Sequence, residues 1–587
     1  MPSINNHHRS EYAVICGEKR IKKKDFLFRC YLCASYIQTL SLDNGPIAVI
    51  HGKTPDLLVL LYSLFLYGIP FVPIDPSYPD ARIKSILTDI CPSCLIVDAA
   101  RRDIVCYEKK YVANEIFEAA LHSVQSNQSE KIRGFQEVVN EPGLLSTIYF
   151  TSGSAGKPKG VMVTKEGLLN HIHGIADVCD LSIVSHTICT ASISFDLFFD
   201  QAIMPLYYDL TVVLAEDGEH RDPERLVALF KRHPIDYMIA TPSTMNLLSL
   251  HDDQLMCLEK LQYIIVGGEK CTLSLLKKLQ HYCNARIFNA YGPTEASVYA
   301  TISELTHKET VDVGKPMRNY EIFILDENNK LVEDGCAGEI AISGIGLADG
   351  YHGQEDLTNE RFIKLPEEKR RVYLTGDIGK IDNGNLVVMG RNDNQTKFNG
   401  YRIELEEIEK TIEQIDGVDQ CIVAVIEHTN NTSYLLSWYT GRQFDDSAFI
   451  AFLQQRLPLY MIPAQFNHLN EFEYTANGKL NRNISYPLTL FQHQKSNAKY
   501  STDRIEDAII NMLRLLLNDS TLNVGLEDRL SSLGITSTHF IQLIVKLEQL
   551  LNVEIDDHVL LFSPTESIAT LAKRIRGENA QKEPRDC

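Results

Sequence analysis

Short apolar runs alternate with longer helical stretches through the first half of the chain. The runs at residues 47–50, 95–97, 210–214, 235–239 and 263–266 have strand length and no helical period. Such alternation predicts parallel-rich sheets covered by helices, an α/β architecture. Open sheets of this kind bind ligands beyond the carboxyl ends of their strands. The unusual residues stand there: the segment opening at Thr151, then Thr241-Pro242, Gly267-Gly268-Glu269 and Asn289-Ala290-Tyr291-Gly292. The fold logic therefore gathers separate motifs onto one rim. Residues 57–74 form an uncharged run long enough to consider as a membrane span, but Gly68, Pro70 and Pro73 interrupt it and Asp75 ends it. A buried helix followed by a buried strand is expected instead.

The pattern changes further along. Asp382-Asn383-Gly384, between apolar residues 378–381 and 386–389, predicts a hairpin. An amphipathic helix from Leu405, followed by alternating strands, predicts a small α+β subdomain. Residues 486–499 are polar and aperiodic, which suits a linker. Beyond them, three helical faces appear: Ile505, Ala508, Ile509, Met512 and Leu516; Phe540, Leu543, Ile544, Leu547 and Leu551; Ile568, Leu571, Ala572 and Ile575. They predict an all-α bundle. The expected organisation is a large domain at 1–390, a small α+β lid at 391–485, a linker at 486–500, the bundle at 501–577 and a tail at 578–587.

At 587 residues the chain exceeds a single core. A formal net charge of -20 argues against nucleic-acid or anionic-membrane partners. Any anionic nucleotide must then be held locally. Residues 1–12 lack the apolar stretch of a signal peptide, and fourteen cysteines without one suit a reduced, cytoplasmic protein. Cys30/Cys33 and Cys91/Cys94 are C-x-x-C pairs; core packing is the expectation, a zinc or redox site the alternative.

The richest segment is Tyr149-Phe150-Thr151-Ser152-Gly153-Ser154-Ala155-Gly156-Lys157-Pro158-Lys159-Gly160. Three glycines let backbone N–H groups close around an oxyanion, while three hydroxyls and two lysines add donors and charge. This is a polyphosphate-binding loop, with a flexible Gly/Ser turn as the plainer alternative. It is not a Walker A loop, because Pro158 follows the lysine where Ser or Thr belongs.

Together with Asn289-Ala290-Tyr291-Gly292-Pro293-Thr294-Glu295, Tyr373-Leu374-Thr375-Gly376-Asp377 and Gly390-Arg391-Asn392-Asp393, this loop resembles the signatures of adenylate-forming enzymes. More closely, it is similar to adenylation domains of nonribosomal peptide synthetases. The resemblance implies an ATP site from Thr151, Ser152, Gly153, Ser154, Gly156, Lys157, Lys159 and Gly160, with Asn289, Ala290, Tyr291 and Gly292 around adenine. It places Asp377 and Arg391 at the ribose, Thr294 at the α-phosphate and Glu295 on Mg²⁺. Asp393 becomes the pivot of the C-terminal lid, and Lys479 a catalytic residue. Asn399 departs from the usual basic residue. The implied amino-acid pocket is Asp196, Leu197, Asp200, Ala240, Ile265, Gly267, Ala290, Val298, Tyr299 and Lys479. Asp196 pairs the α-ammonium in that reading, or caps a helix in the plainer one. Asp200, four residues on, favours a cationic or donor-bearing side chain such as a diamino acid, unless it turns to solvent or pairs a lysine of the chain.

Leu533-Gly534-Ile535-Thr536-Ser537 in the helical bundle resembles the attachment site of carrier proteins, which implies 4'-phosphopantetheine on Ser537 and a phosphopantetheinyl transferase as partner. An N-cap serine is the plainer reading. Thr536 replaces the usual Asp or His. The expectation is an adenylation–carrier didomain that activates an amino acid with ATP and loads it on its own carrier domain. With no room for condensation or thioesterase domains, it would pass the product to condensation, tailoring or thioesterase proteins in trans. The rival is an acyl- or aryl-CoA ligase.

Overall fold

The computed structural model describes residues 10–40, 45–102, 107–123, 143–153, 158–216, 218–252, 254–333, 335–365, 369–393, 395–398, 401–427, 433–472, 505–516, 524–530, 533, 535, 540, 543, 547 and 567–576. They fall into two units, the first of residues up to 220, 226–407 and 455–458, the second of 221–225, 408–454 and those from 459 on.

Three large sheets and a two-stranded one, Gln395–Phe398 with Tyr401–Glu404, build the first unit. The largest runs in the order Lys315–Pro316, Thr301–Glu304, Arg286–Tyr291, Tyr263–Gly267, Tyr237–Ala240, His186–Cys189, Thr211–Leu214, Tyr12–Cys16 and Lys19–Lys22. The strands from Arg286–Tyr291 to Tyr12–Cys16 pair in parallel; the two pairs at one end and the one pair at the other are antiparallel. A six-stranded sheet orders Lys110–Val112, Cys94–Val97, Ile47–Ile50, Phe71–Ile74, Leu145–Thr151 and Lys159–Thr164, again parallel except for the last pair. The parallel strands are buried on both faces, as their apolar runs require. The third sheet is antiparallel, from Tyr320–Leu325, Gly338–Gly344, Arg371–Asp382, Phe362–Lys364 and Asn385–Arg391. Within it, Asp382 faces Asn385 across a tight turn whose Asn383 and Gly384 both take positive φ, the conformation an Asn-Gly hairpin demands.

Alternation along the large sheet separates two cores. Tyr237, Ile239, Tyr263, Ile265 and Ala290 face one cluster, while Met238, Ala240, Ile264 and Val266 face the other. The uncharged run at 57–74 resolves into the buried helix Pro55–Leu66 and the buried strand Phe71–Ile74. Among the described residues, no helix is long and apolar enough to cross a membrane.

In the second unit, Val418–Glu427, Ser433–Gly441 and Gln465–His468 form a three-stranded sheet over Ile422, Leu436, Trp438, Ala464 and Phe472. The C-terminal region is helical, as its periodicity predicts. The helices Ile505–Leu516 and Ile568–Ile575 close on a core that includes Ile509, Leu513, Leu530, Ile535, Phe540, Leu543, Leu547 and Leu571. The linker at 486–500, the tail at 578–587, Lys479 and Ser537 lie outside the described residues.

The C-x-x-C cysteines are free. Burial pushes the Cys33 and Cys94 thiols up to about 12, far from reactive thiolates, while Cys91 is exposed and Cys94 is not.

Candidate active site

The strand Leu145–Thr151 turns back as Lys159–Thr164, with Thr151 opposite Lys159 and Phe150 opposite Gly160. Ser154, Gly156 and Lys157 lie outside the described residues. Thr151 Oγ1 is buried with no partner among those described, and the Ser152 hydroxyl donates to the Arg402 carbonyl at 3.0 Å. Lys159 is 6% exposed and lies over the Tyr351 ring, 4.9 Å from its centroid. Burial lowers its pKa to about 8.

Facing Lys159 is Glu295, with no exposed surface. Its Oε1 accepts from the Tyr351 hydroxyl at 2.8 Å and lies 3.6 Å from Lys159 Nζ; its Oε2 accepts from Arg402 Nη1 at 2.8 Å. Burial alone would raise the carboxyl. Arg402 first, then Lys159, outweigh it and hold Glu295 well below the usual carboxylate range. The sequence singled out neither Tyr351 nor Arg402, although Arg402 stands three residues after the flagged Asn399.

Glu295 and Thr294 share a short 3-10 turn after the strand Arg286–Tyr291. The Asp196 carboxyl is pushed up chiefly by burial, with Asp200 and Glu295 adding to it and the neighbouring Thr294 side chain opposing. Asp196 is the first residue of a helical turn, Asp196–Phe198, whose N-cap is Phe195. Its carboxylate thus stands beside a residue expected at the α-phosphate.

At the strand end, the Tyr291 hydroxyl donates to Asp377 Oδ2 at 2.6 Å, and Arg391 Nη1 reaches Asp377 Oδ1 at 2.6 Å. Arg391 also holds Asp393 through two nitrogens. Asn289 spends its amide N–H on the Asp312 carbonyl. Gly292 has to be glycine: a Cβ there would stand 2.6 Å from Tyr299 Cα and 2.7 Å from Ala300 N.

The register aligns Ala240 with Val266 and Gly267 with Ala290 along the rim. Ile265, Ala290, Val298 and Tyr299 share one core, with Leu197 against it, whereas Ala240 belongs to the other. Ser297 and Val298 both take positive φ, a strained conformation for a β-branched residue, held by Ser297 Oγ donating to the Gly346 carbonyl and Ala300 N to the Tyr291 carbonyl. Asp200 is fully buried against His171, with 2.6 Å between Oδ1 and Nε2. Neither solvent nor a lysine is its neighbour there; the expected alternatives give way to a histidine the sequence did not single out.

The AMP-binding enzyme family matches residues 3–352, more than half of the chain. The chain belongs to the AMP-binding enzymes. A second match, to the phosphopantetheine attachment site, covers residues 507–575. Bacitracin synthase 3 of Bacillus licheniformis is 30% identical over 545 residues, 91% of this chain and 8% of that protein. The chain therefore spans less than a tenth of that relative. A four-domain nonribosomal peptide synthetase solved with AMP and glycine is 27% identical, with a TM-score of 0.59, and covers 97% of this chain and 42% of its own. A solved protein of adenylation and PCP domains shares the fold at a TM-score of 0.69 and 21% identity, over 97% of this chain and 94% of its own. This AMP-binding enzyme is thus an adenylation module followed by a carrier domain.

Proposed function

We propose that the chain activates an amino acid with ATP and transfers it to its own carrier domain for nonribosomal peptide synthesis. One observation carries the reading: Asp196, a buried carboxylate suited to an ammonium, lies by Thr294, next to Glu295, which Lys159 faces. An ammonium-bearing acid bound there sits against the phosphate site.

In the first step the substrate carboxylate oxygen bonds to the α-phosphorus, the bond from that phosphorus to the bridging oxygen breaks, and pyrophosphate leaves with its electron pair. Both reactants are anionic. Lys159, the loop donors around Thr151 and Ser152, and Lys479 delivered by the lid offset their repulsion. Asp377 and Arg391 orient the ribose, Tyr291 and the backbone at Asn289, Ala290 and Gly292 enclose the base, and Thr294 contacts the α-phosphate. Leu197, Asp200, Ile265, Gly267, Val298 and Tyr299 form the side-chain pocket. A buried, ionised carboxylate next to the phosphate loop fits Mg²⁺, which takes one or two carboxylates together with substrate phosphates. Glu295 would hold it, and it would supply neutralising charge.

The second step needs Lys479 withdrawn, which lid rotation about Asp393 provides. Ser537 falls between Ile535 and Phe540, both buried in the C-terminal core, in the chain's match to the phosphopantetheine attachment site. When attached there, the group supplies the thiol that receives the acyl group as a thioester. A phosphopantetheinyl transferase would install it, and condensation, tailoring or thioesterase proteins would draw on the product. Release of a free CoA thioester is the contrary outcome, disfavoured by Asp196 and by the carrier domain.

The test is amino-acid-dependent exchange of labelled pyrophosphate into ATP. Lys479→Ala should lower it ~10²–10³-fold, the scale for losing one preorganised transition-state donor. Wild-type exchange rates in that variant would remove Lys479 from the first step.

A further inference from the structure

One turn beyond Asp196 the chain winds into a π-helical segment, Phe199–Ile203, which carries Asp200 inward. Single π turns within helices concentrate at functional sites. Asp200 Oδ1 is held by His171 Nε2, and both side chains are fully buried. Asp200 Oδ2 has no hydrogen-bond partner among the described residues. Neither do His171 Nδ1 and the hydroxyls of Tyr237 and Tyr299, all of them buried. A buried carboxylate is costly until matched by a cation or by donors, so this cluster awaits a ligand group.

The four groups are neighbours. The His171 and Tyr299 rings lie 5.7 Å apart. Burial, and next to it the charge on Asp200 or Cys179, raises both tyrosine hydroxyls, with Asp200 acting on each. They also lie on the pocket side of the sheet: Tyr237, Tyr299, Ile265 and Ala290 share one core. The pocket is short. A Cβ at Gly267 would meet the Tyr299 ring and hydroxyl at 2.8 Å, so the glycine makes room for the tyrosine and not for a long substrate.

We propose that the enzyme selects an α-amino acid whose short side chain ends in a primary ammonium, with Asp200 Oδ2 as its counter-charge, the Tyr237 and Tyr299 hydroxyl oxygens as further acceptors, and His171 as a positioning residue for Asp200. An ammonium brings three donors, which these three oxygens satisfy. Asp196 and Asp200 stand about one helical turn apart, which suits a short spacer of two or three methylenes between two ammonium groups. A hydrocarbon side chain would leave Asp200 Oδ2 buried with no partner among the described residues. This assignment rests on the reading of the chain as an amino-acid-activating enzyme.

The experiment is pyrophosphate exchange by the full chain with 2,4-diaminobutyrate and ornithine against 2-aminobutyrate, norvaline, leucine and phenylalanine. The expected result is a kcat/KM for a diamino acid at least ~10²-fold above its uncharged counterpart, since sites built for a hydrogen-bonding group reject analogues lacking it. Asp200→Asn should erase that ratio, and His171→Gln should narrow it at an unchanged melting temperature, which a merely structural histidine would not do. If Asp200→Asn does not fold, Tyr299→Phe reads the same ratio. A preference for an uncharged side chain, or a ratio untouched by these variants, overturns the proposal while amino-acid activation stands. No exchange with any amino acid overturns both.

Discussion

Glu295 has no exposed surface, yet it is ionised, because Arg402 and Lys159 bring two cations to one carboxylate and Tyr351 adds a hydroxyl donor. Removing the anion would strand both cations in a buried site. Breaking a buried pair by deleting one partner costs about 3–5 kcal/mol. Glu295→Ala should therefore lower the urea midpoint of unfolding as well as abolish pyrophosphate exchange, and an unchanged midpoint would show that the network contributes nothing to folding.

Lys165 opens the helix Lys165–Val178, whose N-cap Thr164 accepts from Gly167 N, and its Nζ donates to the Leu66 carbonyl at the end of helix Pro55–Leu66. One buried side chain thus ties the start of one helix to the end of another and satisfies a carbonyl that has no partner within its own helix. Burial lowers its pKa from 10.5 to about 8. Between those values the unfolded chain binds the proton more tightly than the folded one, so stability rises with pH across that window. The full gain is at most about 3 kcal/mol. Unfolding midpoints measured from pH 7 to 9.5 should climb for the wild type relative to Lys165→Met; parallel curves would refute the shift. At this scale the sequence was largely readable. Apolar runs marked the parallel strands, the Asn-Gly pair marked the hairpin, and helical faces marked Ile509, Leu543 and Leu571 as core. The strand Lys159–Thr164 was missed because its lysine looked like loop. His171, Tyr351 and Arg402 were missed for another reason: each gains its meaning from a partner 29 to 107 residues away, and no local period records that.

At the scale of the whole molecule, the proposed activation and transfer draw on different regions, the rim of the first unit and the carrier domain. Ser537→Ala should leave pyrophosphate exchange intact and abolish the acyl mass added to the protein by a pantetheinyl transferase, ATP and amino acid. Label retained by that variant would move the attachment site elsewhere. The two ends of the rim are less separable. Because the backbone at Gly292 comes so close to that of Tyr299 and Ala300, the strand end proposed to face adenine and the residue proposed to bound the side-chain pocket are a single rigid piece. Anyone redesigning selectivity at position 299 will disturb the nucleotide seat with it, so successful libraries should need compensating changes at 289–292, and variants with altered choice of acid should show altered KM for ATP.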